Sequence, residues 1–185
     1  LAFNRYYNSQ SEVDSPMGYG WCHNYDIVLT PQYNNSNYLI KVKGVSGRGY
    51  YFEDYDLDGE YDGYFSENST IIKDANDNYI WTRDDGTVYT FDSTGLLSSI
   101  TDKNGNIQTF TYTSNLLTTI TDVSSGRTIT FHYNVDNRID HITGPVTNAV
   151  QDGIWVSYDY DTSGNLTHVT YADDENGSAA SRFEY

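Results

Sequence analysis

"YTFDSTGLLSSITDKNGNIQTFTY", residues 89–112, decides the fold. It opens on two aromatic residues two apart, Tyr89 and Phe91, and closes on another such pair, Phe110 and Tyr112. Between the pairs stand "DSTG" and "DKNGN", and between those runs stand Leu97 and Ile100. Residues two apart share one face of a strand. Asp, Asn, Ser and Gly supply the side-chain hydrogen bonds and positive φ of tight turns. The stretch therefore reads as strand, turn, strand, turn, strand.

The layout recurs along the second half. Aromatic pairs fall at Tyr89/Phe91, Phe110/Tyr112, Phe131/Tyr133, Tyr158/Tyr160 and Phe183/Tyr185, spaced 21, 21, 27 and 25 residues apart. An aliphatic residue follows each of the first four pairs (Leu97, Leu117, Ile139, Leu166), and three residues further comes another (Ile100, Ile120, Ile142, Val169). The third unit departs from the pattern: Tyr133 is followed by Asn134, no glycine precedes Ile139, and "GPVTNAVQDG" (144–153) reads as a loop insertion. A period of 20 to 27 residues means stacked supersecondary units. A two-stranded unit is marginal alone, so its stability comes from its neighbours. The rings are expected to form the core between units.

Helical signals are nearly absent, while Thr and Tyr, which suit a pleated surface, are abundant. The chain is read as all-β: antiparallel β-hairpin repeats stacked into a continuous ribbon. Two regions are expected, an N-terminal β module over 1–88 and about four repeats over 89–185, the last cut off. The border near residue 88 carries no Pro-, Gly- or Ser-rich linker, so one sheet should run through it. In the first half "LAFNRYYNSQ", "YDIVLTP" and "NYLIKVKG" read as strands, and "GRGYYFEDYD" and "DNYIWTRDDGTVYTFD" as hairpins. Leu1 begins in mid-pattern with no initiator Met, which reads as part of something longer.

The 10 basic against 26 acidic side chains give a net charge of −16. That argues against nucleic acid, which needs a positive footprint, and against an anionic membrane surface. No apolar run reaches the length of a membrane span. One cysteine excludes an internal disulfide. Nineteen tyrosines suggest a core of rings whose hydroxyls keep hydrogen bonds.

Three motifs invite chemistry. Cys22–His23, in "SPMGYGWCHNYD" (15–26), could be a thiol and its base. Neighbours on a strand point to opposite faces, however, and no third orienting group or oxyanion site is evident. The alternative is a packing motif in which Trp21 and Tyr25 pack, His23 hydrogen-bonds, and Gly18 and Gly20 allow close backbone approach or positive φ. "DYDLDGEYDG" (54–63) is the metal candidate: Asp54, Asp56, Asp58 and Gly59 match the start of a calcium loop, with Asp62 as a further ligand. Phe65 stands where a bidentate Glu would close an EF-hand, and a solvated acidic hairpin tip is the alternative. Paired carboxylates suit glycoside hydrolysis, but 26 acidic residues make pairs unavoidable, and side-chain hydrogen bonding in turns explains most aspartates. His132, His141 and His168 read as dispersed singletons without metal spacing. The sequons at Asn34, Asn68, Asn165 and Asn176 matter only in a glycosylating host.

The units "YTFDSTGLLSSITDKNGNIQTFTY" and "YDYDTSGNLTHVTY" resemble the YD repeats of the Rhs family. "FNRYYNSQSEVDSPMGYGWCHNYD" resembles the module that opens the Rhs repeat region. The resemblance implies a strand ribbon that spirals into a hollow shell, of which these repeats would form an arc. Its settings are bacterial polymorphic toxins, insecticidal toxin complexes, wall-associated proteins and teneurins. It implies a non-enzymatic segment, secreted or at the cell surface, whose partners are the remaining repeats and a C-terminal effector. No cofactor is expected apart from calcium at the acidic loop. The alternative is a cell-surface module that binds carbohydrate or protein through exposed aromatics.

Overall fold

A five-residue turn organises the chain. In the computed structural model, which describes residues 1–34, 37–64, 68–144, 153–171 and 182–184, it begins at Asp74, Asp92, Asp102, Asn134 and Asp161. In each copy the first side chain accepts the backbone N–H groups two and four residues on, as Asp102 does from Asn104 (2.8 Å) and Asn106 (2.9 Å). The first N–H donates to the fifth carbonyl and the fourth N–H to the first carbonyl. The fourth residue takes positive φ: Gly95, Gly105 and Gly164, but Asp77 (65°) and Asn137 (59°). The third repeat lacks its glycine because Asn, the side chain most tolerant of left-handed backbone, occupies that position.

The turns connect short strands. Four open the chain: β1 (Arg5–Tyr7), β2 (Asp14–Ser15), β3 (Gly18–Tyr19) and β4 (Trp21–His23). Then follow β5 (Val28–Asn34), β6 (Asn37–Lys43), β7 (Gly49–Asp54), β8 (Glu60–Gly63), β9 (Thr70–Lys73), β10 (Tyr79–Thr82) and β11 (Val88–Phe91). The rest are β12 (Leu97–Thr101), β13 (Ile107–Thr113), β14 (Leu116–Asp122), β15 (Thr128–Tyr133), β16 (Ile139–Thr143), β17 (Ile154–Tyr160), β18 (Leu166–Tyr171) and β19 (Arg182–Glu184). From β5 to β19 the hydrogen-bonded order is the chain order, one antiparallel meander, while β1 pairs with β4 and β2 with β3. Among the described residues there is no α-helix, only a 3₁₀ turn at Val45–Gly47, and none is long and apolar enough to cross a membrane. The chain is all-β, as its turns and alternation require, and the sheet passes residue 88 unbroken through the β10–β11 hairpin.

"GRGYYFEDYD" is not the expected hairpin. It is a single strand, β7, because Tyr50, Phe52 and Asp54 alternate into the interior, and the turn comes after it at the acidic run. The insertion after the third repeat is closed at its base by the Gly144 N–H donating to the Gly153 carbonyl at 2.9 Å. Its residues 145–152, with Phe65, Asn176 and Tyr185, lie outside the described residues.

Two compact units contain these strands. One comprises 23–110 with 122–124; the other comprises 1–22, 111–121 and 125–185. In the first, Trp81 lies edge-on to Phe52 at 5.8 Å and beside Tyr50 at 5.1 Å and Tyr89 at 4.9 Å, and its indole N–H donates to Ser69 at 2.8 Å. In the second, Ile120, Ile129, Phe131, Ile139, Ile142 and Val169 are buried. In the first four repeat pairs one ring enters the core (Phe91, Phe110, Phe131, Tyr158), and its partner stays half-buried. The half-buried ring supplies a polar link: Tyr133 donates to the Leu117 carbonyl at 2.7 Å and Tyr160 to the Ile139 carbonyl at 2.8 Å.

Candidate functional site

Four places gather chemistry-bearing side chains. The first is the acidic loop between β7 and β8. Asp54 ends β7 and is 4% exposed, because strand alternation carries it inward after Phe52. Asp56 and Asp58 are exposed, and one carboxylate oxygen from each of the three lies within 4.8 Å of the others. Gly59, at φ 91°, turns the chain and donates its N–H to Asp54 Oδ2 at 3.2 Å; Glu60 N–H donates to Asp58 Oδ1 at 2.8 Å. Asp54 Oδ1 is buried with no hydrogen-bond partner. No basic side chain forms an ion pair with Asp54, Asp56 or Asp58 among the described residues. Asp62 is not part of the group. It stands opposite Glu53 on the paired strand, one residue along from Asp54, so the pleat sends it to the other face. Spacing alone did not show this, because it depends on where the hairpin turns.

The second is the "GYGWCH" region. Cys22 is buried. Trp21 packs tilted against Tyr7, with ring centres 5.0 Å apart. Gly20 has φ 75°, and a Cβ there would lie 2.8 Å from the Asn8 carbonyl, so both positive φ and close approach require glycine. His23 is 5% exposed, and its Nδ1 accepts the Tyr25 N–H at 3.2 Å. Burial holds its pKa down to about 4, against the raising effect of Asp26. Asp26 is itself paired with Lys43. Tyr25 packs on Phe110 at 5.6 Å. An enclosed imidazole whose Nδ1 accepts a backbone N–H fits the packing motif.

Just upstream, residues 14–18 lie against the turns of the third and fourth repeats. The Ile139 N–H donates to the Pro16 carbonyl at 2.7 Å. Arg138 pairs with the Asp14 carboxylate and donates to the Ser15 carbonyl. A Cβ on Gly18 would come 2.9 Å from the Gly164 carbonyl.

The third place corrects the reading of dispersed histidines. His132 and His141 are direct cross-strand partners, their rings stacked at 4.1 Å and 6°. The turn at 134–138 and a bulge at His132/Tyr133 set this register. The sequence contained the signal, since a five-residue turn after Tyr133 brings the two residues face to face. His141 Nδ1 lies 2.6 Å from Asp140, and His132 Nε2 lies 3.1 Å from the Thr143 hydroxyl. Burial, then the neighbouring His141, lower the His132 pKa. His168 sits apart, opposite Asp159.

The fourth was missed in the sequence: a cavity of about 260 Å³ lined by Tyr38, Tyr61, Lys73 and Tyr79 among others. Lys73 Nζ lies 5.4 Å from the centre of the Tyr79 ring. These side chains come from β6, β8, β9 and β10, so nothing in their spacing announces them.

Fold and sites together describe a β-meander of repeated units braced by an N-terminal segment. Over residues 1–52 the chain is similar to a family described as "Domain of unknown function (DUF6531)". No curated protein matches it.

Proposed function

We propose that this chain is a structural segment of a YD-repeat shell of the Rhs type. It has no enzymatic activity of its own and helps enclose and deliver a C-terminal toxin or effector of the same polypeptide, outside a bacterial cell. The observation that carries this reading is the repetition itself: one turn chemistry used five times, with tyrosine hydroxyls tying the third and fourth units each to the one before. Such repetition serves continuity of the ribbon from one unit to the next. The docking of residues 14–18 on the repeat turns supports a module that starts such a ribbon.

A segment of a shell presents an apolar face and unpaired strand edges when produced alone. The 185-residue chain is therefore expected to self-associate by light scattering and to enhance the fluorescence of an apolar-surface dye. A monomer that leaves the dye dark would overturn the reading.

The tyrosine-lined cavity favours a second reading, a surface module for sugars, whose flat faces suit aromatic rings. A glycan array separates the two. Binding lost in Tyr38→Ala at unchanged stability would favour the module, and an array without hits would remove it.

A further inference from the structure

We propose that the β7–β8 loop binds a calcium ion through Asp54, Asp56 and Asp58. The inference goes beyond the shell reading and does not depend on it. Two observations carry it. The three carboxylates converge to within 4.8 Å among the described residues, and the most buried of them keeps an oxygen, Asp54 Oδ1, without any hydrogen-bond partner. A buried carboxylate oxygen left unpaired is costly, and no basic side chain among the described residues forms an ion pair with the group. A cation at this point would satisfy Asp54 and relieve the repulsion among the three.

The donor chemistry selects the ion. All three ligands are hard oxygens, without the nitrogen or sulfur that zinc sites favour. Calcium bonds run about 2.3–2.6 Å, so oxygens across one ion stand about 4.6–5.2 Å apart, and a set within 4.8 Å is of the size that surrounds one ion. Hydrogen bonds already fix one oxygen of two ligands: Asp54 Oδ2 on Gly59 N–H and Asp58 Oδ1 on Glu60 N–H. The other oxygen of each is left to turn to the ion. The loop has irregular, partly exposed ligands, which suits the flexible coordination of calcium better than the octahedron magnesium demands. With three protein ligands the remaining positions fall to water, and the affinity belongs with the weak sites, a Kd on the order of 10⁻⁴ to 10⁻³ M.

The test uses the 185-residue chain with calcium chloride, magnesium chloride at equal ionic strength, and terbium as a luminescent stand-in excited through Tyr55, which lies inside the loop. Calcium at ten times its Kd should raise the melting temperature by about 3–5 °C. Terbium emission should rise on binding and fall as calcium displaces it. Asp56→Asn and Asp58→Asn change exposed side chains, so the fold should persist while affinity falls at least tenfold. Three results would each overturn the proposal: no shift and no terbium signal up to about 10 mM calcium, ten times the weakest Kd expected; an equal shift with magnesium; or an unchanged response in the two variants. Should a variant fail to fold, terbium displacement by calcium in the unaltered chain decides alone.

Discussion

The Tyr160 hydroxyl donates to the Ile139 carbonyl at 2.8 Å, and Tyr133 makes the same bond to Leu117 at 2.7 Å. In both cases the second ring of an aromatic pair reaches the first aliphatic residue of the preceding unit. The ring is needed for packing and the hydroxyl for a hydrogen bond to a carbonyl of the neighbouring strand. Burial pushes the Tyr160 pKa upward, which keeps the hydroxyl protonated as a donor.

Removing the hydroxyl while keeping the ring should isolate that link. Tyr160→Phe and Tyr133→Phe are each expected to lower unfolding free energy by about 0.5–1.5 kcal/mol, measured by urea denaturation. Variants as stable as the parent would mean the bonds only decorate contacts made by the rings.

The repeated turn gives a second expectation. Asn137 holds φ 59° where Gly95, Gly105 and Gly164 stand in other copies. Asn137→Gly should raise stability by about 0.5 kcal/mol, and Asn137→Val should lower it by about 1–2 kcal/mol. The same ranking in thermal melts would tie the effect to backbone conformation; the reverse ranking would break the tie.

Two glycines with similar φ separate strain from close approach. Gly105, at φ 83°, has open space where an added methyl group would stand, so Gly105→Ala should cost about 1 kcal/mol. Gly95 has φ 89°, and a Cβ there would lie 2.0 Å from the Leu29 carbonyl, to which the backbone at 28–29 is also bonded through Leu29 N–H to Gly95 O at 3.0 Å. Gly95→Ala should cost about 2–4 kcal/mol. Equal losses in chemical denaturation would show that the packing of residues 28–29 on this turn is loose.

Stability should fall on mild acidification because of His23. Its folded pKa, about 4, lies below the ordinary 6.5, so the unfolded chain takes up a proton first. The contribution is complete above pH 6.5 and is lost as pH falls toward 4, on the order of 3 kcal/mol in all. Asp74, Asp102 and Asp161 act lower. Hydrogen bonds from Asn78, Asn106 and Asn165 depress their pKa values, so their contribution is present above 3.8 and lost below it. Denaturation from about pH 8 to 4 should be steep in the parent and shallow in His23→Asn. Matching slopes would assign the loss to other groups.

The second half was legible because Asp, Asn and Gly turns punctuate it and its strands alternate between a core ring (Phe91, Phe110, Phe131, Tyr158) and core aliphatic residues (Leu97, Leu117, Ile139, Leu166). Asp102–Asn106 can be read from five letters. The stretch from 60 to 73 was not. "EYDG" and "TIIK" are four residues each, too short to show a period, and their pairing follows from neighbours. The same limit hid two details of the sites. Asp62 matched a ligand spacing but stands opposite Glu53 on the far face, and His132 and His141 looked separate until the turn at 134–138 and the adjacent bulge set their register. Residue types gave the elements, and strand register placed the side chains. In the tyrosine-lined cavity four strands each contribute one ring or amine, so only the folded sheet assembles it.

The central claim, that this meander is part of an effector-enclosing shell, is tested most directly by sequencing the reading frame beyond Tyr185. Many further Asp-x-x-Gly units followed by an unrelated terminal domain are the expected result. A frame that closes after a few more residues, or that leads straight into a surface anchor, would contradict the claim and leave a short array whose aromatic cavity binds at the cell surface.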